Sequence, residues 1–572
     1  VIVMAVAAAL TALVAVLGMT AALGSYGRRR TVQTTSDFLV ASRGVTPLWN
    51  ASAIGSEYIS AAAFLGTAGL VLAHGADMLW LPLGATAGYV LLLAFVTAPL
   101  RRSGAYTISD FAEWRLGSRA VRHAVSACVL FIGWFYLLPQ FQGAGVTLRV
   151  LTGAPTWAGW AVVVGVVLVL VVPGGMRSIT AVQAVQFWVK LVAVAVPAVA
   201  LLSLWHLDGA ADPTAGAVPA FERATTVRVQ TGVTIEVRAE VRVAVNGTVD
   251  GRTRRTAGHP LAPGRHQVAA GTVLRFPAGT QVPHVEHLPV QDGDTWAMPN
   301  GSSTEHGLYG TYSALLGVLL GTMGLPHILM RFYTNTCGRA ARRTAAMVPA
   351  LLALFYVFPA LYGALGRLYT PELLMTGDTD ATILMLPQRV LPGAAGAVLT
   401  GLVAAGAFAA FISTSCGLVV AIAGTASQWL PKGGAASFRI GAVFALAAPL
   451  LLVPGLDSRG AGALVTLALT VSACSLCPLL LLGIWWRGLT AAGAGAGLAV
   501  GGGLAVAAGL ATLFDDSWTG WPAAILAQPA LVVVPAAAGV MVGVSLLTRR
   551  RVPRRADRAM ARLHLPEEIV LH

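Results

Sequence analysis

The sequence predicts an all-α polytopic membrane protein of about thirteen transmembrane helices. Ten of these should form a five-plus-five inverted repeat, and a small β-rich insert should lie on the outer face. Three observations carry this expectation. Hydrophobic residues make up 56% of the chain and charged residues 11%, with mean hydropathy +0.73, whereas soluble domains carry about 25% charged residues. The basic residues, nearly all arginine, cluster in alternate short loops between apolar runs, which is the positive-inside pattern. Finally, two apolar spans at matching places in the two halves contain stretches that cannot continue as regular helix.

Residues 1–27 hold no charged side chain and precede Arg28-Arg29-Arg30. A cleaved signal peptide has the reverse order, so an uncleaved extra span with its N-terminus outside is expected. The first repeat occupies 47–204, with spans near 47–73, 78–100, 124–150, 156–175 and 179–204 and with Arg101-Arg102 on the cytoplasmic side. Residues 205–306 differ in kind. From Val227 to Val245, apolar residues alternate with Arg228, Glu236, Arg238, Glu240 and Arg242, a period-two strand pattern, and Asn246-Gly247 reads as a tight turn. The second repeat occupies 308–485, with spans near 308–330, 345–368, 392–426, 437–455 and 461–485. Two further spans lie in 490–547, and the tail 548–572, with Arg549, Arg550, Arg551, Arg554, Arg555, Arg558 and Arg562, is placed in the cytoplasm. Five spans per half is an odd number, so the second half is inverted relative to the first.

The first span of half one carries Gly55-Ser56-Glu57-Tyr58-Ile59-Ser60, and the first span of half two carries Gly321-Thr322-Met323-Gly324-Leu325-Pro326-His327. Pro326 removes a backbone donor, so its helix must kink or open. Opened carbonyls are hard oxygen ligands suited to a small cation. Glu57 inside an apolar span points to a cavity, a partner or an ion path, or else to a polar contact between helices. Ser413 and Thr414 follow Ala410 by three and four residues, hence on one helical face. They either join a cation site or bond back to their own helix.

Other classes are disfavoured. The net charge of +14 suggests nucleic acid, but its distribution into short loops does not. The five cysteines are expected as free thiols, and Cys474-x-x-Cys477 lacks the further ligands of a zinc site. No P-loop and no cytoplasmic cluster of metal ligands supports an enzyme.

Gly324–Phe332 (GLPHILMRF) together with Ser56–Gly66 (SEYISAAAFLG) resembles the sodium:solute symporter family, most closely its cation/acetate branch of monocarboxylate carriers. Tyr106-Thr107 with Asp110, Leu138–Gly145 around Gln140, and Phe408–Gly417 are further matching pieces. The resemblance covers about 36–204 and 308–500 and leaves out the 219–305 insert. It implies a LeuT-like fold in the plasma membrane and sodium-coupled uptake of a short-chain monocarboxylate such as acetate, with sodium as coupling ion and no other cofactor. The partners it implies are the solute, sodium and membrane lipid. It also implies sodium ligands at Ser56, Ile59, Ala410, Ser413 and Thr414, and substrate or gate roles for Glu57, Tyr58, Ser60, Gln140, Gln142 and His327. His327 otherwise satisfies a carbonyl freed by Pro326. Arg331 reads as a cytoplasmic anchor, and Gln183 stands where the sugar-carrying branch has an acid. Lys190, within the last span of half one, reads as a snorkelling or paired structural lysine. The alternatives are a sodium- or proton-coupled carrier of an amino acid or sugar, and a transporter-like sensor acting with a separate partner.

Overall fold

Long apolar runs must satisfy their backbone internally in lipid, and helices do so. The computed structural model describes residues 2–28, 40–214, 218–221, 223–229, 232–286, 288–299, 306–429, 434–456, 461–514 and 518–565. Among these, the extra helix α1 spans Ile2–Arg28. The first repeat then runs through α2 (Pro47–Tyr58), α3 (Thr67–His74), α4 (Trp80–Leu91), α5 (Arg119–Thr152) and α6 (Thr156–Leu207), the last crossing as two spans. The second repeat contains α7 (Gly307–Gly324), α8 (Pro326–Phe332), α9 (Gly338–Tyr369), α10 (Ala394–Ala426), α11 (Gly434–Leu456), α12 (Ala461–Cys474) and α13 (Leu476–Trp485). Helices α14 (Ala491–Phe514) and α15 (Ala530–Leu547) follow.

Among the described residues, eleven helices are long and apolar enough to cross a membrane, or twelve when the bent pair α7–α8 counts as one. One of these runs is the 42 residues Ala62–Ser103. At 1.5 Å per residue it would be about 63 Å long, roughly twice the hydrocarbon thickness. It breaks at Gly75, whose φ of +76° ends α3, so the part before it completes one crossing together with α2 and the part after it makes the next. Counted so, the spans match the number expected from the sequence.

The insert is a seven-stranded sheet: β1 (Thr225–Arg228), β2 (Val233–Val237), β3 (Val241–Val249), β4 (Arg252–Leu261), β5 (Gly264–Val268), β6 (Val273–Phe276) and β7 (His284–Val285). Its order is β1-β6-β3-β5-β2-β7 with β4 beside β3, and the strand pairs are antiparallel. The alternation read from the sequence holds within the strands, where Val227, Ile235, Val237, Val243 and Val245 are buried, packing together with Leu72, Leu373, Leu374 and Met375 at the end of the bundle, but it breaks at Ala239, exposed in the turn between β2 and β3. The turn assigned to Asn246-Gly247 is corrected. Both residues lie inside β3, and the hairpin turns at Asp250-Gly251, with φ of +51° and +71°. Gly247 is there for close approach, since a Cβ would fall 2.6 Å from Thr272.

The basic segments gather at the other end. Arg102 donates to the carbonyls of Leu563 and His564, Arg115 to that of Gly483, and Arg487 pairs with Asp557 at 2.8 Å. Loops far apart in sequence thus share one face, as the positive-inside pattern requires.

Candidate transport site

Helix α2 stops at Tyr58. Ile59 leaves helical geometry (φ −72°, ψ 84°), and the chain resumes as a π-helical turn, Ala62–Gly66. The break frees backbone groups that must find partners. The freed Ala61 N–H donates to Gln140 Oε1 at 2.9 Å, while Gln140 Nε2 donates to the Tyr136 carbonyl at 3.0 Å. Gln140, expected as a substrate contact, therefore caps the opened helix with its amide oxygen and ties its amide nitrogen back to its own helix α5. The freed carbonyls face α10. Ser413 Oγ donates to Ser56 O at 2.9 Å, and Thr414 Oγ1 to Glu57 O at 2.7 Å and Ile59 O at 3.5 Å. Ser413 Oγ also lies 3.1 Å from Ala410 O. The fold thus brings together the oxygens of Ser56, Ile59, Ala410, Ser413 and Thr414.

A sixth participant was read differently from sequence. The Lys190 side chain, fully buried on α6, ends among these oxygens. Its Nζ donates to Ser56 O, to Ile59 O at 3.1 Å and to Ser413 Oγ. It is paired, as one of the two sequence readings had it, but its partners are three of the groups expected to hold the cation.

Glu57 and Arg331 are the other buried charges of the break. Arg331 Nε donates to Glu57 Oε2 at 2.6 Å, Nη1 to Thr180 Oγ1 at 2.7 Å, and Nη2 to Gln183 Oε1. Gln183 Nε2 continues to the Ser413 carbonyl at 2.5 Å. The anchor reading of Arg331 is corrected: its side chain is fully buried, because α8 bends 44° away from α7 at Pro326 and turns it onto α2 and α6. Glu57 pairs with it and does not line the cavity described next. The pair fits because residue 417 is glycine. A Cβ there would lie 1.7 Å from Glu57 Oε1 and 2.0 Å from its Cδ. Gly417→Ala is expected to drive the carboxylate off Arg331, at about 3–5 kcal/mol for a broken buried pair, and to abolish uptake at matched membrane levels. Uptake at the unmodified rate would contradict this placement.

On the other side of the break a cavity of about 1080 Å³ opens toward the insert. Its inner part is lined by Tyr58, Ser60, Tyr136 and Gln142, its outer part by Arg149, Asp378, Asp380, Thr234 and Glu286. Tyr58 is held by a 2.8 Å hydrogen bond to Thr322 Oγ1 and by the edge of Tyr89. Arg149 faces Asp378 at 3.7 Å, and burial beside Asp378 pushes the Asp380 carboxyl up to about 6. His327 lies next to this floor, its ring 5.3 Å from Tyr136, and neither ring nitrogen has a hydrogen-bond partner among the described residues. It does not cap a carbonyl freed by Pro326.

The sequence reading missed Lys190 in the site and Arg331 in the core. A signal was available: the chain has only two lysines, Lys190 and Lys432, against 38 lysines and arginines together. A lone lysine in an apolar span, following Thr180 and Gln183 on one helical face, marks a polar stripe aimed inward.

The model of the sodium:solute symporter family matches residues 38–236 and 294–501. An uncharacterised symporter of Bacillus subtilis is 25% identical over 538 residues, covering 91% of this chain and 90% of its own. A monocarboxylic acid transporter of Corynebacterium glutamicum is 26% identical over 493 residues, covering 81% and 76%. Among solved structures, a sodium-coupled sialic acid symporter in a substrate-bound outward-open state aligns with TM-score 0.63 at 13% identity, over 94% of this chain and 98% of that one. The last likeness is one of fold. Family membership supports sodium-coupled transport of a small solute, and the many apolar spans make the protein multi-pass. The chain belongs to the sodium:solute symporter family and is a membrane transporter, not an enzyme.

Proposed function

We propose that this chain carries a short-chain monocarboxylate such as acetate into the cell by cation-coupled symport, with its N-terminus outside and its tail in the cytoplasm. The observation that carries the reading is the inner part of the cavity. Tyr58, Ser60 and Tyr136 bring hydroxyls and Gln142 an amide to its lining, without a fixed charge. An ionised carboxylate accepts hydrogen bonds only, so it suits a cluster of donors. The likeness to the Corynebacterium glutamicum transporter supports the same substrate class, and the shared basic face of loops and tail supports the orientation. The test is uptake of radiolabelled solutes into proteoliposomes. Saturable acetate or propionate uptake, competed by other monocarboxylates alone, is expected. Saturable uptake of an amino acid or sugar in their place would overturn the substrate class.

Gln183 is neutral and engaged with Arg331 and Ser413, which favours a single coupled cation. One cation entering with one anion moves no net charge. Steady-state accumulation is therefore expected to be indifferent to a potential set by potassium and valinomycin. A second cation would add about 2.3 kcal/mol per 100 mV, or about 50-fold. A severalfold rise at inside-negative potential would exclude the one-to-one stoichiometry.

A further inference from the structure

The five oxygens expected to hold sodium do converge, yet sodium does not fit among them while Lys190 is charged. An ammonium has three N–H donors and no acceptor. Lys190 Nζ has three acceptors around it, Ser56 O, Ile59 O and Ser413 Oγ, so the charged form is fully satisfied there. Two of these are backbone carbonyls of the break and the third is a hydroxyl of α10, so one ammonium ties α2 to α10. A sodium ion bound to the same oxygens would sit in contact with that ammonium. The wider cluster would not compensate, since Glu57 is its one carboxylate among the described residues and Arg331 already holds it at 2.6 Å. Resting on the symport reading above, we propose that the Lys190 ammonium takes the place of sodium at this site and that the coupling ion is a proton carried on Lys190.

The step balances as a simple acid–base exchange. The amine takes a proton from the outer solution when the cavity faces outward, and the ammonium releases it to the cytoplasm when the site faces inward. No bond other than N–H forms or breaks. The neutral amine has two donors and a lone pair against the same three acceptors. One carbonyl or hydroxyl oxygen then faces a lone pair, and the tie between α2 and α10 loosens. That difference gives the two protonation states different preferences for the closed contact, which is what coupling requires. Among the titratable and charged groups on the elements around this part of α6 are Glu57 and Tyr58 on α2, Arg331 on α8, Tyr136 on α5, Tyr356 and Tyr362 on α9 and Cys416 on α10. Arg331 reaches it through Gln183 and Ser413, and Tyr362 is turned to the Val194 carbonyl.

The test uses the full-length chain in proteoliposomes, with labelled acetate, propionate and pyruvate each screened first by counterflow, which needs no ion gradient. For each solute that exchanges, initial uptake above that of protein-free liposomes is measured under an inside-alkaline gradient in sodium-free choline buffer, and under an inward sodium gradient at equal pH. The proton gradient is expected to stimulate uptake severalfold and the sodium gradient not at all. Lys190→Met should lose the stimulation by the proton gradient. Should that variant fail to fold, the two gradients on the unmodified chain still decide the matter. Stimulation by sodium alone overturns the proposal and leaves the symport reading intact. Counterflow with no response to either gradient overturns proton coupling. No counterflow with any of the three solutes overturns the substrate reading and the proposal with it.

Discussion

Glu57→Gln is expected to destabilise the protein by about 3–5 kcal/mol, because it leaves the Arg331 guanidinium charged and unpaired in the interior. Both side chains are excluded from solvent, so water cannot take the place of the carboxylate. Arg331 keeps Thr180 and Gln183 as acceptors, but neither carries charge. The loss should appear as a lower unfolding temperature in detergent and as reduced protein in the membrane. The double variant Glu57→Gln with Arg331→Met tests the cause. Removing both charges is close to neutral in many buried pairs, whereas removing one is not. The double variant should therefore be more stable than Glu57→Gln alone. A single variant as stable as the unmodified chain, or a double variant with the two losses simply added, would show that the pair does not act as a unit.

Ser413→Ala with Thr414→Ala should shift the ion dependence of uptake by about tenfold or more. Each hydroxyl satisfies a carbonyl of the opened helix, and leaving a buried acceptor unmet costs about 1–3 kcal/mol, where 1.4 kcal/mol is a factor of ten. Ser413 is also an acceptor for Lys190, so its loss removes one of the three groups that hold the ammonium. The measurement is initial uptake against external pH and against external sodium, at matched membrane levels. The shift is expected in the pH profile. Unchanged dependence on both ions would remove these hydroxyls from the coupling site.

Much of this arrangement was legible before any coordinates, and the reasons differ by element. The breaks at Ile59 and Pro326 were visible because glycine, serine and proline interrupt apolar runs whatever the tertiary context. The insert's core was visible because a half-buried sheet alternates with period two. The register of β3 was not: an Asn-Gly pair reads as a turn unless the close packing of Gly247 on Thr272 is known. Arg331 was misplaced because a linear span assignment carries it to the membrane edge, while the 44° bend at Pro326 brings it into the core. Gln140 looked like a free amide, since the N–H it caps exists only because α2 opens. Lys190 was hardest. Its place in the site depends on α6 lying against both α2 and α10, a contact between segments more than 130 and 220 residues apart for its partners Ser56 and Ser413.

The occupant of the five-oxygen site is decided most directly by equilibrium binding of radiolabelled sodium to the purified full-length chain. With the ammonium of Lys190 bound to Ser56, Ile59 and Ser413, no saturable sodium binding is expected at neutral pH, with or without a monocarboxylate. Saturable binding of one sodium per chain, lost in the Ser413→Ala, Thr414→Ala variant, would contradict it and return the site to sodium.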